Sequence, residues 1–154
     1  MDSNSTTRFT DRVENYIKYR PSYPADVIEY LKSEGILRSD SVIADIGSGT
    51  GISAELFLKN RNVVYGIEPN DAMREAAEKL LSAYGNFRSI NATAEDTTLP
   101  KYSIDLILCA QAFHWFDIQK VKIEFNRILK PSGRVCLIWN ERILDGNPFL
   151  IEYE

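Results

Sequence analysis

The stretch Val42–Gly51, VIADIGSGTG, constrains the fold of this chain more than any other. A short apolar run, Val42 to Ile46, leads into Gly47, Gly49 and Gly51, and an amphipathic segment follows at once. An apolar run with a glycine-rich exit reads as a buried strand. Glycines at alternate positions permit a tight turn and let another group approach the backbone closely. The pattern predicts strand, turn and helix in succession, with the turn available to hold something.

The same alternation continues down the chain. Val63–Ile67, Phe87–Asn91, Ile104–Ala110 and Arg134–Trp139 read as further strands. Ile52–Lys59, Asp71–Leu81 and Asp117–Leu129 read as helices between them, with Asp71 or Asn70 capping the second. Lys130-Pro131-Ser132-Gly133 reads as a turn. Upstream, Phe9, Val13, Tyr16, Ile17 and Tyr19 recur near helical spacing. The segment Arg20-Pro21-Ser22-Tyr23-Pro24 interrupts that helix, and a second begins at Pro24 and stops near Gly35. Strands alternating with helices predict an α/β fold, a doubly wound parallel sheet with right-handed crossovers. At 154 residues the chain is expected to form a single domain. Residues 1–8 read as a disordered lead-in, 9–36 as a helical cap and 41–140 as the α/β core.

Composition removes several functions. The net charge of -4 argues against nucleic acid as the main partner, because phosphate contacts need a basic face. Cys109 and Cys136 lie in apolar runs and read as two buried thiols of a reducing compartment. With one histidine and no Cys-x-x-Cys, no metal site is expected. No apolar stretch reaches membrane-spanning length, and MDSNSTTRFTDR has no signal-peptide core. The reading is a cytoplasmic protein with no membrane partner.

Open parallel sheets bind ligands beyond the carboxyl ends of their strands. Here those ends carry the glycine loop, then Glu68-Pro69-Asn70, then Ala94-Glu95-Asp96, then Gln111–Phe116. The spacing Gly47-x-Gly49-x-Gly51 is one residue shorter than the dinucleotide fingerprint G-x-G-x-x-G. Glu68, about 20 residues on, is placed to accept hydrogen bonds from a ribose diol. That suits NAD and S-adenosylmethionine equally. Asp45, Glu68, Glu95 and Asp96 are expected to share one acidic rim, with no Lys or Arg from Asp45 to Gly51 or from Val63 to Asn70. Such a rim repels a pyrophosphate and favours a ligand carrying sulfonium and ammonium charges.

The runs VIADIGSGTGISAELF, VYGIEPNDAMREAA, ATAEDTTLP, DLILCAQAFHWFD and EFNRILKPSGRVCLIWN together resemble the class I S-adenosylmethionine-dependent methyltransferases. FTDRVENYIKYRPSYPADVIEYL is similar to the N-terminal cap of small-molecule members, of the trans-aconitate and ubiquinone/menaquinone-biosynthesis type. The resemblance implies a Rossmann-like sheet in the order 3-2-1-4-5 and S-adenosyl-L-methionine as cofactor. It implies that Asp45 and the loop Gly47, Ser48, Gly49 and Gly51 line the methionyl part. Glu68 would hold the ribose, with Pro69, Asn70 and Met73 near the adenosine. Ala94, Glu95 and Asp96 would flank the adenine, and Ala110 and Gln111 the sulfonium end. Tyr16 and Arg20 would approach the cofactor carboxylate. Family members usually continue past the fifth strand with a helix and an antiparallel strand pair. Residues 141–154 are therefore expected to begin a truncated C-terminal segment, and the sheet to lack that pair.

Methyl transfer needs an aligned acceptor and, for some acceptors, a base. His114, the one histidine, is the candidate base or acceptor-positioning group, or else a structural residue of an aromatic turn. Phe113, Trp115 and Phe116 either wall an acceptor pocket or serve as packing. Tyr16, Tyr19 and Tyr23 either reach over the site or fasten the cap to the sheet. The place where nucleic-acid and protein-glutamine members often carry Asn/Asp-Pro-Pro-Tyr/Phe holds Ala-Gln-Ala-Phe-His-Trp. The expected acceptor is thus a small organic molecule, handled by a monomer or homodimer. The rival readings are an NAD-dependent oxidoreductase domain and a non-catalytic cofactor-binding module or fragment.

Overall fold

The structure, a computed structural model, describes residues 13–19 and 21–141. Two short helices, α1 (Val13–Tyr19) and α2 (Asp26–Ser33), precede β1 (Val42–Ile46), α3 (Ile52–Lys59), β2 (Val63–Ile67) and α4 (Asp71–Leu80). Then come β3 (Phe87–Ile90), β4 (Ile104–Ala110), a 3-10 turn (Phe113–Trp115), α5 (Ile118–Ile128) and β5 (Leu129–Ile138). The five strands form one parallel sheet in the order β3-β2-β1-β4-β5, as the resemblance implied. The order reverses beside β1, where the crossovers to β2 and β4 diverge, and this is the switch point at which such sheets hold ligands.

Alternation of side chains across β1 divides the core. Ala44 and Ile46 face a cluster containing Ile107, Cys109, Val121, Phe125 and Ile128, under α5. Ile43 faces the opposite cluster with Leu106, Leu108, Ala54, Phe57 and, from α2, Ile28 and Leu31. The N-terminal region is therefore tied to the sheet face through α2. Every residue of β4 is buried, because neighbours flank it on both edges and both faces. Its one charge, Asp105, accepts from Val42 N–H and from Lys130. Burial pushes its carboxyl up, but Val42, Lys130 and Arg38 outweigh this and hold it below the usual range.

Two local readings change. The expected turn Lys130–Gly133 lies within β5, where the ladder slips: Ile104 faces Leu129 while Leu106 already faces Arg134. Such a bulge accommodates Pro131, which has no N–H to donate, and it sits on an edge strand where this is tolerated. Cys136, expected to be buried, is half-exposed on that same edge, whereas Cys109 is buried and its thiol pKa is raised by burial. Among the described residues no helix is long and apolar enough to cross a membrane, and no cluster of side chains could hold a metal ion.

Candidate functional site

The glycine loop joins β1 to α3 through a sharp reversal. Gly47, Gly49 and Gly51 all have positive φ, 71°, 55° and 88°. Side chains there would be strained, and space is also short. A Cβ on Gly47 would stand 2.7 Å from the Cβ of Ala112, and one on Gly51 2.5 Å from Leu81 Cδ1. The loop thus rests on the exit of β4 at one end and on the end of α4 at the other. Gly51 caps α3, so the loop leads directly into that helix's N-terminus.

Glu68 is the centre of the site. It follows β2, is 8% exposed, and its two carboxylate oxygens accept different backbone amides. Oε2 takes Gly49 N–H at 2.9 Å and Oε1 takes Asn70 N–H at 2.9 Å. One side chain therefore fixes the glycine loop against the start of α4. Burial raises its pKa above the ordinary carboxylate value, opposed by the two amides and by Arg74. Asn70 caps α4 by accepting from Met73 N–H at 3.0 Å, and both residues are buried. Pro69, between Glu68 and Asn70, is half-buried.

Asp45 lies beneath the loop. It shares the parity of Ile43 and so faces α3, where Ser53 Oγ donates to it at 2.6 Å. It is fully buried, and Ser48 on the loop is 6% exposed.

The expected single acidic rim is not what the fold builds. Asp45 and Glu68 are buried around the glycine loop. Glu95 instead accepts Asp117 N–H at 3.0 Å, at the N-terminus of α5. Asp96 is exposed and acts on Arg127, and Ala94 is buried in the core. The rim also has a counter-charge. Arg74, in the first turns of α4, donates to the Glu68 carbonyl at 3.2 Å and to Asp71 at 2.6 Å. This cation lessens the repulsion that a pyrophosphate would meet here. Arg74 lies outside Asp45–Gly51 and Val63–Asn70, and only the return of the chain through the Asn70 cap brings it back.

At the β4 exit, Ala110 is buried and Gln111 takes a positive φ of 54°. Gln111 N–H donates to Ile138 O, and its side-chain Nε2 donates to Tyr23 Oη at 3.1 Å. Phe116 is buried and stands edge-on to Phe113 at 6.0 Å between centroids, so these two aromatics serve as packing. Trp115 and His114 are exposed, with ring centroids 4.8 Å apart. Tyr16 lies on α1 with its side chain outside the described residues, and Arg20 lies outside them altogether. Tyr19 is 70% exposed. Sequence reasoning passed over Thr50 and Ser53. Both lie within the loop and the first turn of α3, where hydroxyls are the only side-chain signal.

A family model described as a methyltransferase domain matches residues 44–137, from the middle of β1 into the last residues of β5. A methyltransferase-like protein of Schizosaccharomyces pombe is 30% identical over 135 residues, covering 87% of this chain and 52% of that protein. The solved structure of YcgJ from Bacillus subtilis is 30% identical, with a TM-score of 0.63 over 80% of this chain and 55% of that one. The geranyl diphosphate C-methyltransferase of Streptomyces coelicolor, solved with Mg2+, geranyl-S-thiolodiphosphate and S-adenosyl-L-homocysteine, shares the fold at 22% identity. Its TM-score is 0.65, over 72% of this chain and 42% of that one. The chain spans about half the length of the curated relatives it matches. A matched family domain over most of the described core, on a sheet of the same topology, has one reading: this chain belongs to the class I S-adenosylmethionine-dependent methyltransferases.

Proposed function

We propose that this chain carries the donor site and part of the acceptor site of a methyltransferase acting on a small organic molecule in the cytoplasm, as a monomer or homodimer. The carrying observation is Glu68. A buried carboxylate that two backbone amides hold between the glycine loop and α4 is a rigid acceptor for hydroxyl groups at the switch point of the sheet. S-adenosylmethionine supplies a methyl group on a sulfonium, already activated for transfer, so the protein's part is binding, alignment and exclusion of water.

The residues present fit that cofactor. Thr50 Oγ1, in the glycine loop, is buried and finds no hydrogen-bond partner among the described residues. A buried hydroxyl of that kind is costly unless a ligand satisfies it. Glu68 serves the ribose, with Pro69, Asn70 and Met73 beside the adenosine and Ala94, Glu95 and Asp96 toward the adenine. Asp45, Gly47, Ser48, Gly49 and Gly51 line the methionyl part, with Tyr16 and Arg20 near its carboxylate. Ala110 and Gln111 close the sulfonium end. His114, exposed beyond the β4 exit, stands on the acceptor side as base or positioning group.

The test is calorimetric titration with S-adenosylhomocysteine, and with NAD in parallel. Binding of the first alone in the micromolar range supports the reading, and binding of NAD alone overturns it. Glu68→Ala should weaken S-adenosylhomocysteine by about tenfold or more, through loss of one or two charge-assisted hydrogen bonds. Unchanged affinity would remove Glu68 from the ribose site.

A further inference from the structure

Tyr23 is the one buried residue of the stretch Pro21–Asp26, at 6% exposure among exposed neighbours. Burial of a tyrosine commonly brings its hydroxyl to a partner, and here the partner is Gln111, 88 residues away, at the exit of β4. Pro21 and Pro24 restrict the backbone on either side, so the ring is presented with little freedom to lose. Gln111 is itself unusual. A residue with a side chain pays for a left-handed φ, here 54°, unless its surroundings impose it. Two hydrogen bonds do so: its N–H to Ile138 O, and its Nε2 to Tyr23. The next residue, Ala112, lies against Gly47, so the conformation of Gln111 sets what the glycine loop rests on.

Topology says which part of a ligand would feel this. Glu68 follows β2 and Gln111 follows β4, on opposite sides of β1. Two strand spacings separate them, about 10 Å. A molecule whose ribose is at Glu68 meets Gln111 only with its far end.

We infer that Tyr23 is a positioning residue that, through its hydrogen bond to Gln111, holds the β4 exit in the shape that receives the sulfur and amino-acid end of the cofactor. The inference rests on the donor site proposed above. It gives the stretch Pro21-Ser22-Tyr23-Pro24 a task distinct from ending a helix. With one Nε2 N–H used toward Tyr23, the amide oxygen and the second N–H remain for a ligand, and the acceptor oxygen suits a cationic group.

The test uses the whole chain and two probes, S-adenosylhomocysteine and adenosine, which lacks the end that reaches β4. Tyr23→Phe keeps the ring and removes the hydroxyl. It should weaken S-adenosylhomocysteine by about three- to tenfold, the range of one neutral hydrogen bond, and leave adenosine within about twofold. Gln111→Ala, which also removes the amide oxygen, should weaken S-adenosylhomocysteine at least as much and leave adenosine within about twofold. The double variant should be no worse than the more affected single one, since both break one interaction. A Tyr23→Phe variant that binds S-adenosylhomocysteine like the parent overturns the inference. So does one that loses both probes equally, which marks a general loss of packing, or a double variant whose losses add. If the parent chain binds neither probe, the donor-site reading fails and takes this inference with it.

Discussion

Glu68 and His114 each follow a strand at the same end of one sheet, and the fold treats them in opposite ways. Glu68 is buried, with both carboxylate oxygens committed to backbone amides of two different elements. His114 sits exposed in a three-residue 3-10 turn, against an exposed tryptophan. The region around Glu68 is fixed by the chain's own bonds: a capped helix, three left-handed glycines and a buried acid. The region around His114 presents rings to an open face. For the donor and acceptor sites proposed above, this division is physically sensible. Rigid, buried polar groups suit the constant partner, and a turn on the surface accommodates change.

The two regions touch at Gly47, and the largest expected effect lies there. Gly47→Ala forces a side chain into a left-handed conformation and against Ala112 Cβ and Phe116. The strain costs about 1–2 kcal/mol. Crowding in a packed site adds about 1–3 kcal/mol. Denaturant unfolding should show the combined loss together with abolished binding of S-adenosylhomocysteine. A variant of parental stability would mean that the β4 exit yields easily, and that the contrast between a firm side and an open one is overdrawn.

Acid sharpens the comparison by probing a third wall. The segment after β3 is held from α5, where Glu124 accepts both Thr97 N–H and Thr97 Oγ1 while pairing with Arg127. The Arg127 hydrogen bonds first, and the Thr97 bonds after them, outweigh burial and lower its carboxyl to about 2. A carboxyl depressed in the folded state adds stability that is complete above its ordinary value of 4.5. That stability is lost as pH falls from there through about 2. Allowing for the solvent reaching Arg127, the contribution is about 2 kcal/mol. Urea midpoints should fall between neutral pH and pH 3, and Glu124→Gln should flatten that dependence. An equally steep fall in the variant would show that other groups carry the acid sensitivity. Glu68 moves the other way: its raised pKa means that cofactor binding should weaken with acid sooner than an exposed glutamate would allow.

Much of the firm side was legible in the residues. The apolar run into GSGTG gives β1 and the loop, and Glu68 is found by its distance from it. Asn70 was one of two candidates for the α4 cap, and its side chain settles the matter by accepting Met73 N–H. What escaped was any relation between distant segments. Arg74 beside Glu68, Glu95 on α5 and Tyr23 on Gln111 are tertiary facts that no local pattern carries. The bulge in β5 escaped for a different reason. Lys-Pro-Ser-Gly has turn chemistry, and an edge strand can absorb such a run without leaving the sheet.

The smallest expected effect falls on the open side. His114→Ala removes an exposed ring from a surface turn, so stability should stay within about 0.5 kcal/mol of the parent. Affinity for S-adenosylhomocysteine should stay within about twofold, because the described residues proposed for the donor lie on β1 and its loop, after another strand, on α1, or at the β4 exit before the turn. The measurement that gives the substitution meaning is turnover against a panel of small acceptors. A base or positioning group on the acceptor side predicts slower turnover at unchanged donor affinity. Loss of donor affinity would instead place His114 among the groups that hold the cofactor, and the separation of the site into a built half and an open half would no longer stand.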